Sequence, residues 1–324
     1  MKQITKFVTC AVHAGLALVL ALGAATPAAA QAYPSRPITI ILPSGAGGGQ
    51  DVLARQLAES LGAVLGQSVV VRNLASIIGQ QTVMAAPADG YTLLFDASTM
   101  TTLPYLVKTP PFDTEKDFTP ITQYAKTPYV LTMHPDRGVR NLRDMIAYLK
   151  ANPGKLAWGV AGVGTPDRMA AAQFAEMAGV KPLIVPYKGG APALLGVMAN
   201  DVQLVSLPAS SVKQPIAVGK LIGLGTTSKT VTPDMPAIAP IATVVPGFEF
   251  YSWYGVWGPK GLPPAIAAQI RNAIVKVTAN KEFANKVAAS GYELIVSETS
   301  DFTNVIQSEL AKYGALIKTL DINQ

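Results

Sequence analysis

Cysteine and histidine are nearly missing from this chain of 324 residues, which has one cysteine, Cys10, and two histidines. Cys10 lies in an N-terminal segment that has the pattern of a removable signal, so the mature chain offers no disulfide, no thiol nucleophile and no cysteine metal site. The one histidine beyond that segment, His134, ends a predicted strand and precedes Pro135, a poor position for a Ser-His-Asp triad. No G-x-S-x-G elbow occurs. We therefore expect no enzyme activity, no metal and no catalytic residues.

Charge is also sparse. Charged residues make up 14% of the chain, and the net charge is +6, of which Lys2 and Lys6 contribute two units. The basic residues are spread out, without the Lys/Arg runs that are typical of nucleic-acid binding, so we expect no nucleic-acid partner. A modest positive field favours anionic solutes in a cleft.

The N-terminus has the pattern of a secretory signal. A basic start is followed by an apolar run from Val8 to about Leu22 and then by small-residue cleavage patterns that end at Ala30 or Ala32. This run is short for a transmembrane span, although an uncleaved N-terminal anchor is the alternative. No later segment is long and uncharged enough to cross a bilayer. We predict that residues 1–32 are removed and that the mature protein is exported and soluble.

A glycine-rich turn, Pro43–Asp51, stands between an apolar run at 38–42 and an amphipathic helical pattern at 52–65. A strand, a glycine turn and a helix start in this order leave free backbone N–H groups at the positive end of the helix dipole. The pattern predicts an anion site, with a plain tight turn as the alternative. Gln50 stands where a dinucleotide motif needs glycine, and no nucleotide P-loop motif occurs, so both nucleotide classes are disfavoured.

Strands and helices alternate along the rest of the chain, which predicts an α/β fold with parallel, doubly wound sheets. Further strands are expected at 69–71, 91–95, 129–133, 156–160, 183–187 and 202–206, and two long helices near 264–279 and 300–318. Turns of small residues follow the strands at 43–51, 73–79, 97–101, 162–168 and 187–190. Because open α/β sheets bind ligands at the carboxyl ends of their strands, two such sets of turns predict two lobes that face one cleft.

The ordered set of short motifs resembles the periplasmic receptors of tripartite tricarboxylate transporters, also called Bug-type receptors. The similarity covers essentially the whole mature chain. Its motifs are Tyr33-Pro34-Ser35-Arg36-Pro37-Ile38, Gly47-Gly48-Gly49-Gln50-Asp51, Asp89-Gly90-Tyr91-Thr92-Leu93-Leu94, Asp117-Phe118-Thr119-Pro120, Asn152-Pro153-Gly154-Lys155-Leu156, Val185-Pro186-Tyr187-Lys188-Gly189 and Gly219-Lys220-Leu221.

The resemblance implies a type II periplasmic binding protein-like (Venus flytrap) fold, with two doubly wound lobes joined by a two-segment hinge. We expect lobe 1 to comprise residues 33–132 and 252–324 and lobe 2 to comprise residues 133–251. The implied function is capture of a small carboxylate in the periplasm and its delivery to the membrane carrier subunits of a tripartite transporter. The implied ligands are di- or tricarboxylates, acidic amino acids and aromatic acids. No cofactor and a monomeric state are expected.

The resemblance also places the ligand on the turns that follow the strands. The predicted ligand-binding residues are Ser44, Gly45, Ala46, Gly47, Gly48, Asp51, Ser76, Ile78, Ser98, Thr99, Gly164, Thr165, Arg168 and Lys188. Several have structural alternatives. Asp51 is suited to capping a helix, and the hydroxyls of Ser98 and Thr99 can cap or bind. Arg168 can pair with Asp167 or Glu176 on the surface, and Lys188 can pair across the cleft.

The chain departs from the family pattern at three places. The second ligand loop, Asn73–Gly79, is more apolar and about three residues shorter than the usual loop. Arg168 follows Thr165-Pro166-Asp167 at a helix start, where a guanidinium can bind a carboxylate with two hydrogen bonds. Leu207 stands where many relatives carry aspartate. These changes favour a less polar, aromatic acid over citrate or aspartate.

Two other classes of function remain open from the sequence. One is a sensor receptor whose ligand-bound form is recognised by a membrane kinase, which uses the same fold and site. The other is a periplasmic hydrolase or isomerase that works with a pair of carboxylates. Asp51, Asp96 and Asp167 all sit at strand-to-helix junctions, where capping is the simpler role.

Overall fold

The computed structural model describes residues 33–320, apart from residues 75, 108, 110, 163, 233 and 234. The predicted signal segment at 1–32 lies outside the described residues. Contacts divide the chain into Met1–Ser35 and Arg36–Gln324, and the fold below is that of the second unit. In the described part, every helix is too short or too polar to span a membrane.

Strands and helices alternate as the sequence pattern predicts. The strands are β1 (Ile38–Leu42), β2 (Val69–Asn73), β3 (Thr92–Ala97), β4 (Phe118–Met133), β5 (Ala157–Val160), β6 (Leu183–Pro186), β7 (Leu204–Pro208), β8 (Ile222–Thr226), β9 (Tyr251–Pro259) and β10 (Glu293–Leu294). The helices are α1 (Gly49–Leu65), α2 (Ser76–Met84), α3 (Thr99–Leu106), α4 (Leu142–Ala151), α5 (Pro166–Ala178), α6 (Gly190–Met198), α7 (Ala209–Ala217), α8 (Pro264–Thr278), α9 (Lys281–Ala289) and α10 (Thr299–Leu320).

The first sheet is built from β1, β2, β3, β9, β10 and the first part of β4. β1 pairs in parallel with β2 and β3, while β9 runs antiparallel between β3 and β4. Helix α1 packs on this sheet because Leu53, Leu57 and Leu61, spaced four residues apart, are buried on one face. It ends at Gly66, whose φ of 67° is a left-handed conformation that favours glycine.

The second sheet is built from β5, β6, β7, β8 and the last part of β4. β5 pairs in parallel with β6 and β7, whereas β7 and β8 run antiparallel to β4. Both sheets are therefore mixed: the predicted parallel pairing is found among β1, β2 and β3 and among β5, β6 and β7, whereas every pair that includes β4 or β9 is antiparallel. Two strands can pair in parallel only if a crossover connection joins them. Strand β9 enters the first sheet directly from the second lobe, without such a crossover, and it pairs antiparallel with β3 and β4.

Strand β4 belongs to both sheets. Residues 118–128 pair with β9 in the first sheet, and residues 129–133 pair with β7 and β8 in the second. The chain returns to the first sheet before β9, where the N–H of Phe250 donates to Thr227 O over 2.9 Å. These two crossings join two lobes, one around each sheet, which we call the first and second lobes. The exact boundaries after residues 132 and 251 stay predictions.

Each lobe has its own aromatic core. In the first lobe, Trp253 and Trp257 pack against Phe302 of α10 at ring distances of 5.3 and 5.0 Å. In the second lobe, Phe174 lies between Trp158 and Phe248, at 5.6 and 5.8 Å. The aromatic residues between Phe248 and Trp257, which lie close together in the sequence, are thus divided between the two cores.

Candidate functional site

A cavity of about 720 Å³ lies between the two lobes, at the carboxyl ends of the strands. Four of the five small-residue turns contribute to its wall; the described residues of the turn at 73–79 do not, although Gln80 just after it does. The lining residues are Pro43, Ser44, Gly45, Gly47, Gly48, Gly49, Gln50, Gln80, Asp96, Ala97, Thr99, Leu103, Tyr129, Ala161, Gly162, Gly164, Thr165, Pro166, Asp167, Gly189, Gly190, Ala191, Leu194, Leu207, Pro208, Ser210, Ser211, Ser252, Tyr254 and Tyr292.

Five helices begin at this cavity. Their first turns supply lining residues from α1 and α3 in the first lobe and from α5, α6 and α7 in the second. Each helix start carries partial positive charge and backbone N–H groups that have no acceptor within the helix; in α5 the N–H groups of Asp167 and Arg168 bond to the Asp167 carboxylate. Among the described residues, no lysine, arginine or histidine lines it. The arrangement therefore attracts anions through backbone N–H groups and helix dipoles, without basic side chains.

The first glycine turn is held in shape by Asp51. One Asp51 carboxylate oxygen accepts from the N–H of Gly47 and from Nε of Arg55, each at 3.0 Å. Asn73 Nδ2 donates to the other oxygen over 2.9 Å and to Ser44 O over 3.1 Å. Burial raises the pKa of Asp51, but the hydrogen bonds from Arg55, Gly47 and Asn73 outweigh it and hold the pKa below its usual value. Asp51 thus shapes the turn from behind the cavity wall.

Asp96 is the buried carboxylate of the first-lobe wall. It accepts from the N–H of Ala97 over 2.7 Å, from Gln80 Nε2 over 2.8 Å and from Thr99 Oγ1 over 3.2 Å. Burial raises the pKa of Asp96 to about 6, against these hydrogen bonds, which favour the charged form. At neutral pH the group is mostly ionised, and it fixes the side chains of Gln80 and Thr99 at the cavity.

Asp167 is the buried carboxylate of the second-lobe wall. Its Oδ2 accepts from the N–H of Ala161 over 2.5 Å. Burial raises the pKa of Asp167 to about 6, opposed by hydrogen bonds from Thr165 and nearby backbone groups. The rest of this wall includes apolar side chains, of which Leu207 is only 4% exposed.

The floor of the cavity carries hydroxyl groups that the sequence analysis did not single out. They belong to Tyr129, Ser252, Tyr254 and Tyr292. The Tyr254 ring packs edge-to-face on Tyr292 at 5.4 Å. Tyr292 lies far along the chain from the glycine turn, yet its hydroxyl is next to Gly49. No local pattern in the sequence predicts such a long-range contact.

The predicted ligand-binding residues fall into two groups. Those that line the cavity are Ser44, Gly45, Gly47, Gly48, Thr99, Gly164 and Thr165. Those outside its lining are Ala46, Asp51, Ser76, Ile78, Ser98, Arg168 and Lys188. In this second group Ile78 and Lys188 are exposed, Ser98 is buried, and Arg168 is half-buried beside Asp167, while the Ser76 side chain is outside the described part. Ligand contact stays a prediction for all of them.

One hydrogen bond already joins the two walls. Thr102 Oγ1, on α3 of the first lobe, donates to Gly164 O of the second lobe over 2.9 Å. Leu103 also packs directly against Gly164, where an added Cβ would lie 2.8 Å from Leu103 Cδ1. The turn before α5 therefore approaches the start of α3 closely.

Two mixed α/β lobes, two crossing segments and a cavity lined by helix starts define a type II periplasmic binding protein-like structure. The sequence profile described as "Tripartite tricarboxylate transporter family receptor" matches residues 53–322. The chain belongs to this receptor family, as its motifs indicate. The periplasmic binding protein BugD is 29% identical and superposes with a TM-score of 0.81, over 90% of this chain and 99% of BugD.

Two further relatives extend the comparison. The structure titled "R. palustris Rpa4515 with adipate" is 29% identical, with a TM-score of 0.82 over 89% of this chain and 98% of that one. The "UPF0065 protein in tcbD-tcbE intergenic region" of Pseudomonas sp. (strain P51) is 31% identical over 96% of this chain and 94% of its own length. Similarity thus extends across nearly the full length of each protein.

Proposed function

We propose that this receptor captures a small carboxylate in the cavity between its lobes and delivers it to the membrane carrier of a tripartite transporter. The observation that carries the proposal is the meeting of five helix starts at one cavity whose described lining has no basic side chain. Backbone N–H groups and hydroxyls bind a carboxylate well, and the helix dipoles favour its charge.

The ligand bound to a relative supports a carboxylate. Rpa4515, which is 29% identical, is titled as a complex with adipate, a dicarboxylate with an apolar chain. The cavity here combines helix starts with Leu103, Leu194 and Leu207, which suit an acid with an apolar body. We retain the hypothesis of a less polar ligand on this basis.

Capture occurs by closure of the lobes in our proposal. The carboxylate docks on the first-lobe turn at 43–49, and the second lobe then brings Thr165 toward its distal end. Arg168 and Lys188 lie outside the present lining, and we propose that closure brings Arg168 nearer. Binding shifts the equilibrium between open and closed forms toward the closed form, which a membrane partner recognises.

The family supports a periplasmic receptor over an enzyme, and we propose that the protein acts as a monomer without cofactor. A sensor role, in which a membrane kinase recognises the closed form, uses the same site. It is distinguished by the partner: co-purification from membranes with a multi-span carrier supports transport, and co-purification with a histidine kinase supports sensing.

Binding is tested by titration calorimetry with adipate and other small carboxylates, guided by native mass spectrometry of acids that co-purify with the protein. Gly45→Trp is the blocking variant, because Gly45 lines the cavity and an added Cβ meets no atom within 4 Å. We expect it to fold normally and to lose binding. Ala63→Trp, at an exposed position of α1, is the control and should bind like the wild type. Equal binding by both variants would place the ligand elsewhere.

Arg168→Ala tests the second-lobe contact separately. A dicarboxylate should bind more weakly to this variant if the guanidinium approaches its distal carboxylate on closure. Unchanged affinity for every dicarboxylate that the wild type binds would remove Arg168 from the site.

A further inference from the structure

A second cavity, of about 490 Å³, lies behind the one that we assign to the ligand, and we call it the rear cavity. Strand β9 separates the two. Ser252 and Tyr254 line the ligand cavity, whereas Tyr251 and Trp253 line the rear cavity. Successive residues of a strand point to opposite faces, so the wall between the two cavities is one strand thick here. A charge in one cavity therefore acts on a charge in the other.

Glu309 of α10 lines the rear cavity, and its carboxylate is bonded to this wall. One oxygen, Oε2, accepts from Nε1 of Trp253 over 2.7 Å and from Oγ1 of Thr101 over 2.9 Å. Trp253 is on β9, and Thr101 is on α3, two residues after Thr99 of the ligand cavity. Glu309 thus joins two elements of the ligand cavity from behind.

The Glu309 carboxylate forms no ion pair within the described part of the chain. Burial raises the pKa of Glu309 to about 7, against the hydrogen bonds from Trp253 and Thr101 and the nearby charge of Lys312. Both the charged and the neutral form are therefore populated at neutral pH. The other titratable groups that line the rear cavity are Lys126, Glu249, Tyr251, Lys312 and Tyr313.

The hydroxyl of Thr101 makes the bonding of the wall depend on the charge of Glu309. Thr101 has one hydroxyl hydrogen and two acceptors, Ser98 O at 2.8 Å and Glu309 Oε2 at 2.9 Å. An ionised Glu309 can only accept, so it draws the hydrogen away from Ser98 O. A protonated Glu309 can donate to Thr101 Oγ1, and Thr101 then donates to Ser98 O. Because Ser98 directly precedes α3, the proton on Glu309 changes the bonding at the start of this helix.

We propose that Glu309 is a positioning residue that couples carboxylate binding to the uptake of a proton. The inference rests on the proposed carboxylate binding and adds its regulation by pH. A ligand carboxylate and an ionised Glu309 place two negative charges on the two sides of one strand, where they repel each other. The ligand therefore favours the protonated form of Glu309, and by linkage protonation tightens ligand binding by the same factor. The receptor binds more tightly as the pH falls through about 7.

Two other carboxylates act in the same direction. Asp96 and Asp167 line the ligand cavity, and burial raises the pKa of each to about 6, so a bound anion favours their protonated forms as well. Replacing Glu309 alone separates its share from theirs. Glu309→Gln keeps an acceptor for Trp253 and gains an N–H donor for Thr101, so it reproduces the bonding of the protonated form without the charge.

The first experiment is titration calorimetry of the full mature protein with adipate, succinate and malate at pH 7.5, in HEPES and in Tris. These buffers differ in ionisation enthalpy, so the difference in binding heat gives the number of protons taken up. If the ligand raises the pKa of Glu309 by about one unit from about 7, Glu309 takes up about half a proton at this pH. We expect Glu309→Gln to take up correspondingly less.

The affinity of Glu309→Gln distinguishes proton coupling from a purely structural role. At pH 8.5 this variant should bind the acid severalfold more tightly than the wild type, because the wild type then carries the repelling charge. At pH 6.5 the two proteins should bind nearly equally. A purely structural role would instead weaken binding at both pH values.

Glu249→Gln is the matched control, since it is the same chemical change in the same cavity. The Glu249 carboxylate lies 3.9 Å from Lys229 Nζ, its side chain is 43% exposed, and it is bonded to neither Trp253 nor Thr101. Its proton uptake and affinity should match those of the wild type. If Glu249→Gln lowers proton uptake as much as Glu309→Gln, the assignment to Glu309 is wrong.

A second measurement uses the wild type, so it does not depend on the folding of a Glu309 variant. The chain has three tryptophans, and the indole N–H groups of Trp158 and Trp257 have no hydrogen-bond partner among the described residues. The NMR signal of the Trp253 indole N–H, identified by its loss in Trp253→Phe, should therefore titrate with Glu309. We expect a midpoint near pH 7 without ligand and a higher midpoint with saturating ligand.

The outcomes separate this inference from the proposed function. If wild type and Glu309→Gln bind a carboxylate with the same proton uptake, or if the ligand leaves the Trp253 midpoint unchanged, the coupling is wrong and carboxylate binding stands. If the folded wild type binds no carboxylate at all, the proposed function fails and the coupling fails with it.

Discussion

The two walls of the cavity are built in different ways. In the first lobe, Asp51 and Asp96 accept hydrogen bonds from several side chains and backbone groups, which hold the turn and its neighbours in one arrangement. In the second lobe, Asp167 is held mainly by backbone N–H groups and Thr165, and Leu194 and Leu207 supply apolar surface. The first wall therefore presents polar groups in a fixed geometry, while the second wall presents apolar surface to the cavity.

The largest expected effect comes from the apolar surface of the second wall. Leu207 is 4% exposed and packs in a core cluster, so Leu207→Ala should lower the free energy of unfolding by about 3 kcal/mol. Leu194 is only partly buried, and Leu194→Ala should cost less than about 1 kcal/mol. Chemical denaturation measures both. Equal losses in the free energy of unfolding would mean that the two leucine side chains contribute equally to the packing of the wall.

The pH dependence of stability compares the two buried aspartates. The folded-state pKa values of Asp96 and Asp167 are raised to about 6, so the folded protein binds protons more tightly than the unfolded chain. Their contribution to stability is therefore fully present below about pH 4 and is lost as pH rises through about 6. Glu309, whose pKa burial raises to about 7, acts in the same direction.

We expect the free energy of unfolding to be higher at pH 5 than at pH 7.5. Asp96→Asn and Asp167→Asn should each remove roughly 1 kcal/mol of this difference, because pH 5 lies about one unit below the folded-state pKa of each aspartate. Denaturant titrations at the two pH values provide the measurement. If the free energy of unfolding of a variant changes between the two pH values as much as that of the wild type, the pKa of the replaced aspartate is not raised in the folded protein.

A smaller effect on stability is expected at the start of α1 in the first wall, where side-chain packing and helix propensity favour different residues. Gly49 begins α1, where alanine is the better helix former, but an added Cβ would collide with the hydroxyl of the buried Tyr292. Gly49→Ala should therefore lower stability by about 1–2 kcal/mol. Gly48→Ala is the matched change, because its Cβ would lie 3.9 Å from the nearest atom. Thermal denaturation in which Gly49→Ala melts above Gly48→Ala would contradict the packing argument.

The smallest effect concerns the support of the glycine turn. Arg55 is half exposed, so its ion pair with Asp51 should contribute less than about 1 kcal/mol. Asn73 joins Asp51 to Ser44 O by two hydrogen bonds, and Asn73→Ala should cost more than Arg55→Ala. Thermal denaturation of the two variants should give this order, and the reverse order would assign the support of the turn to the ion pair.

Much of the fold was predictable because its signals are local. The run at 38–42, the glycine turn and the spacing of Leu53, Leu57 and Leu61 predict β1, the turn and α1 without tertiary information. The first part of β4 and all of β9 were missed as strands. Proline at 120 and 128 interrupts the first pattern, and β9 shows no alternation of polar and apolar residues because both of its faces are buried.

Only part of the site was predictable, because only some of its residues are marked by local sequence signals. The turns that meet at the cavity follow strands, and strand ends can be recognised from sequence. Gln80, Tyr254 and Tyr292 reach the cavity through long-range packing. Asp96 was interpreted as a capping residue, since its role depends on Gln80, which the fold brings to it from another element.

Strand β4 has a consequence for any attempt to divide the protein. Its 16 residues supply a central strand to both sheets. A cut at either end of β4 separates the strand from one of the two lobes. The neighbours of β4 in that lobe, β9 and β10 or β7 and β8, then each have an unpaired edge. Neither lobe is an autonomous folding unit on this topology, and the two should melt in a single transition. Split versions and circular permutants will tolerate new termini in exposed turns such as that at Gly154, and not within residues 118–133.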